Sequence, residues 1–214
     1  MKVLVFDTET NGLPENKFES VFNVNKFPYI MQISYILYDD ENFKIIKIGN
    51  KYVKNVEIKE ESFKINKITK TMIDDGENIK NVLTDFINVV KECDILVAHN
   101  YNFDKKIVMV ECVRNNIFYK FNYILKQKQY YCTMRNSKEI CKIPSIYKIE
   151  DFKLPKLIEL HEHLFKEEIL SNNLHNSLVD CIYTLKCYIM LSKNINIFNK
   201  SNECQILLKN YNLL

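Results

Sequence analysis

Hydrophobic and polar positions follow two rhythms along this chain, and the switches between them mark its elements. Lys2 to Phe6 is a short β-branched and aromatic run ending at Asp7, which predicts a buried strand. Asn11-Gly12-Leu13-Pro14 breaks it as a turn. Residues 16–27 are polar with scattered Phe and Val, the pattern of a loop or insertion. Ile30 to Tyr38 and Lys44 to Val53 are two more strand-like runs, joined by Asp39-Asp40-Glu41-Asn42 as a hairpin. Helical spacing follows, first over Ile65 to Ile73, closed by Asp75-Gly76, then through Ile79, Val82, Leu83, Phe86, Ile87 and Val90. Ile95 to Ala98 is a brief apolar strand that runs into His99-Asn100, and a helix from Asp104 sets Phe103, Ile107 and Val110 on one face. Tyr130 to Thr133 reads as a fifth strand. Leu157 to Phe165 reads as a short helix with Pro155 at its first turn. Leu178, Cys181, Ile182, Leu185, Tyr188 and Ile189 form the strongest helical stripe, and the Asn-rich tail from Asn194 predicts no element.

Three early strands followed by helices alternating with further strands give a mixed α/β domain with an antiparallel hairpin on one side. Neither an internal repeat nor a Gly/Ser/Pro-rich linker divides the chain, so residues 1–195 are expected to form one domain, with 196–214 a tail packed on it. No run approaches 18 uncharged apolar residues, which excludes a membrane-spanning helix, and the apolar start is too short for a signal peptide. Seven cysteines form no Cys-x-x-Cys pair, so neither a zinc site nor a disulfide framework is indicated. A reducing, intracellular setting, cytoplasmic or nuclear, is expected. The net charge of +3 and pI near 8.3 admit a polyanionic partner without requiring one. Abundant Lys, Asn, Ile, Tyr and Phe beside only 3 Gly and 4 Pro is the skew of A/T-rich coding, so lysine content alone does not define a binding surface.

Three segments carry candidate chemistry. Asp7 and Glu9 flank Thr8 at the end of the first strand. About three acidic-x-acidic spacings are expected by chance in this composition, but an Asp at the C-terminal end of a buried strand is costly to bury unless it is ionised against a cation. That edge is also where ligands bind in open α/β sheets; turn or capping roles compete with this reading. His99-Asn100-Tyr101-Asn102-Phe103-Asp104 again follows an apolar strand, with helix capping by Asn102 or Asp104 as its alternative. His175-Asn176-Ser177-Leu178-Val179-Asp180 opens the last helix. Periodicity puts Asp180 opposite the apolar stripe, as a solvated carboxylate, and leaves His175 in the preceding loop. Two other segments are weaker. His161 and His163, at i and i+2, diverge on a helix and make no metal pair. Lys126-Gln127-Lys128-Gln129-Tyr130-Tyr131 has the basic-aromatic mix of a nucleic-acid contact, against which the composition skew weighs.

Together, Phe-Asp-Thr-Glu-Thr-Asn-Gly-Leu at 6–13, His-Asn-x-x-Phe-Asp at 99–104 and His-x-x-x-x-Asp at 175–180 resemble the three motifs of the DEDDh branch of DnaQ-like 3′–5′ exonucleases. The motifs span about 175 of the 214 residues, and Phe152-Lys153-Leu154-Pro155-Lys156-Leu157 resembles the segment before the third motif in some stand-alone members. Asn11 where Thr is commoner, Tyr101-Asn102 in the second motif and the long 16–27 insertion depart from the pattern. The resemblance implies an RNase H-like fold, a central mixed five-stranded sheet with an antiparallel hairpin side, flanked by helices. It also implies release of nucleoside monophosphates from a 3′ end.

Phosphodiester hydrolysis explains the residue types. The substrate is anionic, so attack needs charge neutralisation, which two Mg²⁺ or Mn²⁺ ions roughly 3.5–4 Å apart can supply. Such hard cations take carboxylate oxygens. By resemblance, Asp7 bridges both ions, Glu9 and Asp180 complete one site, Asp104 supports the other, and His175 is the general base from outside the carboxylate cluster. Leu13 then packs on the terminal base, Asn100 lies near the 3′ end, and Thr8, Thr10 and Phe103 complete the substrate contacts. The expected partners are single-stranded or frayed 3′ ends, DNA favoured and RNA the alternative, and the resemblance also allows a homodimer or an association with a DNA polymerase. A non-catalytic nucleic-acid binder is the rival reading, but all four carboxylates and the histidine are present.

Overall fold

The computed structural model describes residues 1–146, 151–167, 175–199 and 201–211. A five-stranded sheet is built from β1 (Lys2–Thr10), β2 (Ile30–Asp39), β3 (Lys44–Tyr52), β4 (Ile95–Ala98) and β5 (Gln129–Cys132), in the order β3-β2-β1-β4-β5. β1, β2 and β3 form an antiparallel meander, while β4 and β5 add in parallel on the other side of β1. Val3, Leu4, Val5 and Phe6 are all buried because helices cover both faces of the central strand, which is why the run lacks period-2 alternation. Leu4, Phe6, Tyr35, Leu96 and Ala98 face one layer, α3 (Ile79–Glu92), α4 (Tyr101–Arg114) and α5 (Phe118–Leu125). Val3, Val5, Ile36, Tyr38 and Val97 face the other, led by α9 (Ser177–Lys193).

Several boundaries depart from the pattern-based expectation. β1 runs on to Thr10, because β2 keeps pairing with it through Thr8↔Ile33 and Glu9↔Gln32 before a bulge at Glu9/Thr10. The stretch from Ile65 to Ile73 is not one helix. It is divided between α1 (Glu60–Asn66) and α2 (Lys70–Asp74), separated by Lys67 at φ 57°, with Thr69 capping Met72 N–H. α4 starts at Tyr101, three residues before Asp104. α6 (Thr133–Asn136) and α7 (Lys138–Cys141) precede α8 (Leu157–Phe165), and Pro155 lies one residue outside the Lys156 N-cap. Beyond Asn194, a 3₁₀ turn at Ile197–Asn199 and α10 (Asn202–Asn210) bring Ile197, Phe198, Cys204, Leu207 and Leu208 into the α9 side of the core. No helix is long and apolar enough to cross a membrane among the described residues, and all seven cysteines are buried and free.

Candidate active site

The site forms where the parallel ladder stops. Pairing of β1 with β4 ends at Val5↔Val97, so beyond it the flank of β1 loses its strand neighbour and α4 takes that place. The exposed ladder N–H of Thr8 is received by Asp104 Oδ1 at 3.1 Å, and the Thr8 hydroxyl donates to the same oxygen at 2.8 Å. Asp104 is therefore held on the strand, 3% exposed, rather than serving as an N-cap; that position belongs to Asn100, whose side chain caps nothing. His99 braces the turn between them. Its Nε2–H donates to the Pro155 carbonyl at 3.0 Å, and its Nδ1 lies 3.0 Å from Thr133 Oγ1, which donates to it when the ring is neutral.

Asp180 arrives on α9, whose first turn is tied to the hairpin by a buried polar chain. Ser177 N–H donates to Gln32 Oε1, Ser34 Oγ donates to Asn50 Oδ1, and the Ser177 and Ser34 hydroxyls meet at 2.6 Å. Since the Ser34 proton is used on Asn50, Ser177 is the donor to Ser34. Asn176 caps Leu178 N–H. Asp180 is not the solvated carboxylate that periodicity suggests. α9 is buried nearly all round from Ser177 to Ile189, packed against the sheet on one side and α8 on the other, so its first turn has no face left to open solvent.

Ligand atoms of Glu9, His175 and Asp180 all lie within 4.8 Å of one another. His175 is thus brought against two of the carboxylates rather than standing clear of them. Asp7 adjoins this trio. Burial pushes its carboxyl well above the usual range, followed by the charges of Asp104, Asp180 and Glu9. Glu9 is raised by burial and then by Asp180 and Asp104. Asp104 and Asp180 are both pushed up to about 7, chiefly by burial; Thr8 opposes this at Asp104, and the peptide N–H of His175 opposes it at Asp180. Oδ1 of Asp180 is buried without a hydrogen-bond partner among the described residues. An orphaned carboxylate oxygen within a set of mutually repelling carboxylates is what a hard divalent cation relieves. The donor set therefore fits a divalent metal.

Beside Glu9 opens a cavity of about 380 Å³ lined by Thr8, Thr10, Gly12, Leu13, Phe103 and α1 residues Glu61, Ser62, Ile65 and Asn66. Four of the five expected substrate contacts line it, while Asn100 is exposed at the start of α4 outside this lining. The α1 contribution escapes pattern reading. Its signal is an inverted helix, with polar Ser62 and Asn66 buried and apolar Phe63 and Ile65 exposed. Of the weaker candidates, buried His161 meets Lys186 Nζ at 3.0 Å, and Lys128 Nζ donates to the Lys91 and Cys93 carbonyls at the end of α3.

His99 also makes a stability prediction. Burial holds its imidazole down at about 4, against about 6.5 in an unfolded chain. The unfolded state binds the proton more readily, so the contribution of a neutral His99 is present above pH 6.5 and lost as pH falls towards 4. The advantage of the wild-type chain over His99→Asn in urea denaturation should shrink by about 3 kcal/mol across that window. A constant difference would show that His99 is not held neutral.

A family model described as an exonuclease, RNase_T, matches residues 4–188. Among solved structures, a 3′-exonuclease determined for 3′-end specific recognition of a histone mRNA stem-loop superposes with a TM-score of 0.67 at 16% identity, over 91% of this chain and 83% of that one. The zinc-bound E. coli ExoI–ssDNA complex gives 0.64 at 16%, over 97% of this chain and 45% of the other, so this chain spans less than half of that enzyme. Exonuclease X with 5′-overhanging duplex DNA gives 0.50 at 19%, over 93% and 92%. No curated protein sequence matches the chain.

Proposed function

This chain belongs to the RNase_T exonuclease family, and from that premise we propose that it is a metal-dependent 3′–5′ exonuclease releasing nucleoside monophosphates, with Asp7, Glu9, Asp104 and Asp180 as metal ligands and His175 as general base. The observation that carries this reading is the convergence within 4.8 Å of Glu9 with His175 and Asp180, 166 and 171 residues further along the chain, with Asp7 and Asp104 beside them. Two ions, Mg²⁺ or Mn²⁺, would neutralise the carboxylates and the phosphate and acidify the attacking water.

The chain's own residues divide the remaining tasks. Leu13, Ile65 and Phe103 receive the terminal nucleotide in the cavity next to Glu9, placing its phosphodiester over the carboxylates. His175, exposed on one side and with a ring nitrogen within 4.8 Å of carboxylate oxygens of Glu9 and Asp180, takes the proton of the attacking water. Burial, and then the charge of Lys156, hold its imidazole below its usual value, so it is neutral and able to accept at pH 7.

DNA is the favoured substrate. The cavity's hydroxyls already donate within the protein, Thr8 to Asp104, Thr10 to the Gly12 carbonyl and Ser62 to the Lys59 carbonyl. A ribose 2′-OH entering there could donate to these oxygens but would find none of the three hydroxyls free to donate to it, a partial loss relative to water. Matched DNA and RNA oligonucleotides labelled at the 5′ end test polarity and sugar together, and faster RNA trimming would reverse the preference. EDTA should abolish cleavage, Mg²⁺ or Mn²⁺ should restore it, and Ca²⁺ should bind with little turnover because its larger, looser shell positions water poorly. Undiminished cleavage in EDTA would remove the metal from the reading.

A further inference from the structure

The 16–27 insertion is held rigidly and yet displays aromatic rings. Lys106 of α4 donates to the Lys17 carbonyl at 2.8 Å. Arg114, at the end of the same helix, donates to the carbonyls of Val24, Phe27 and Pro28 and pairs with buried Glu111. Glu15 N–H closes the loop on the Lys26 carbonyl. The segment buries Phe27 and packs Val21 and Val24 against the core, while Phe18 stays 82% exposed and Phe22 56% exposed. Exposure is therefore selective, and the order it requires is already in place before anything binds.

Charge and position identify the occupant. Lys17 Nζ lies 5.0 Å from the Phe18 ring centroid and makes no ion pair among the described residues. The insertion's one carboxylate, Glu19, is engaged with Asn23 and the Ser20 N–H, and neighbouring Glu15 with Lys26. On α4, Phe103 lines the terminal-nucleotide cavity and Lys106 anchors the insertion, so the two, three residues apart, lie on one helix face about 4.5 Å along the axis from one another. The insertion also begins directly after Leu13-Pro14, at the cavity's rim.

We propose that residues 16–27 form a stacking platform for the single strand immediately 5′ of the terminal nucleotide, with a base laid on Phe18 and a phosphate drawn to Lys17. This rests on the nuclease reading, since it takes the cavity as the seat of the 3′ end. Stacking on an aromatic ring is sequence-tolerant and depends on the π-face rather than on apolar bulk.

The test is fluorescence anisotropy of a 5′-labelled ten-residue oligothymidine in Ca²⁺, with the full chain and Phe18→Ala, Phe18→Leu and Phe18→Tyr. Phe18 is too exposed for these changes to unfold the protein. The Ala and Leu variants should bind about 5- to 150-fold more weakly and the Tyr variant close to wild type. Unchanged affinity in Phe18→Ala would overturn the proposal and leave the patch to a protein partner, and a Leu variant as tight as wild type would overturn stacking. Hydrolysis of the p-nitrophenyl ester of thymidine 5′-monophosphate by the wild-type chain, which offers no strand to the platform, tests the nuclease reading separately. Its absence beside Phe18-dependent binding would count against the nuclease and for the platform.

Discussion

Asp7→Asn is expected to lower exonuclease turnover by at least about 10³-fold, the scale of the several kcal/mol of charge stabilisation that a correctly held metal supplies. Asp7 is the carboxylate whose environment contains all three of the others, so its loss disturbs each part of the proposed ligand set. Mn²⁺ titration should show the matching loss of metal affinity. The same substitution should act in the opposite direction on the metal-free fold. A carboxyl raised by burial and like charges stabilises the folded chain only while protonated, and that contribution is lost as pH rises through its folded pKa. In EDTA at pH 8, Asp7→Asn should therefore be at least as stable as wild type, with the gap in its favour widening as pH rises. A variant that turns over normally, or that unfolds in EDTA where wild type does not, would show Asp7 to be a structural carboxylate.

His175→Ala should lose about 10²–10⁴-fold in rate, the usual worth of a general base, with Mn²⁺ affinity reduced far less than in Asp7→Asn. The backbone complicates this experiment. His175 has φ 68°, in the left-handed region, which Ala adopts with strain and Asn tolerates. His175→Asn keeps the backbone and removes the imidazole, so both variants losing rate alike, with metal retained, assigns the defect to the missing base. Retained turnover in His175→Asn would place the base elsewhere. Loss of metal as severe as in Asp7→Asn would instead make His175 a ligand, which its position against Glu9 and Asp180 makes the direct competitor to the base role.

The sheet edge that carries the carboxylates is legible because Asp7 and His99-Asn100 follow short apolar runs, although β1 itself continues through Glu9 to Thr10, and the sheet's two halves follow from the hairpin and the later single strands. What periodicity misjudged has a common cause: it registers one face of an element at a time. The clear stripe on α9 sends Asp180 to solvent, yet that helix is enclosed on its other side by Leu157, Ile158 and Leu160 of α8. α1 escapes the pattern because its buried positions, Ser62 and Asn66, are polar, while Phe63 and Ile65 are exposed and Ile65 lines an open cavity. The break at Lys67 depends on a left-handed backbone adopted by a non-glycine residue, which no composition rule announces. α5 and α10 are short, and their apolar residues gain meaning only from the layers they complete.

The proposed site joins a strand at the start of the chain to a helix more than 170 residues later, with the buried chain of Gln32, Ser34, Asn50 and Ser177 locking the two together. During synthesis this arrangement acts as a delay. The β1-β2-β3 meander and α4 can assemble as they emerge, bringing Asp7, Glu9 and Asp104 into place, but neither Asp180 nor His175 is available until translation has passed α9. Under the proposed assignment, the ligand set and the base would be complete only once α9 has emerged, so activity would wait until the last layer closes over the sheet.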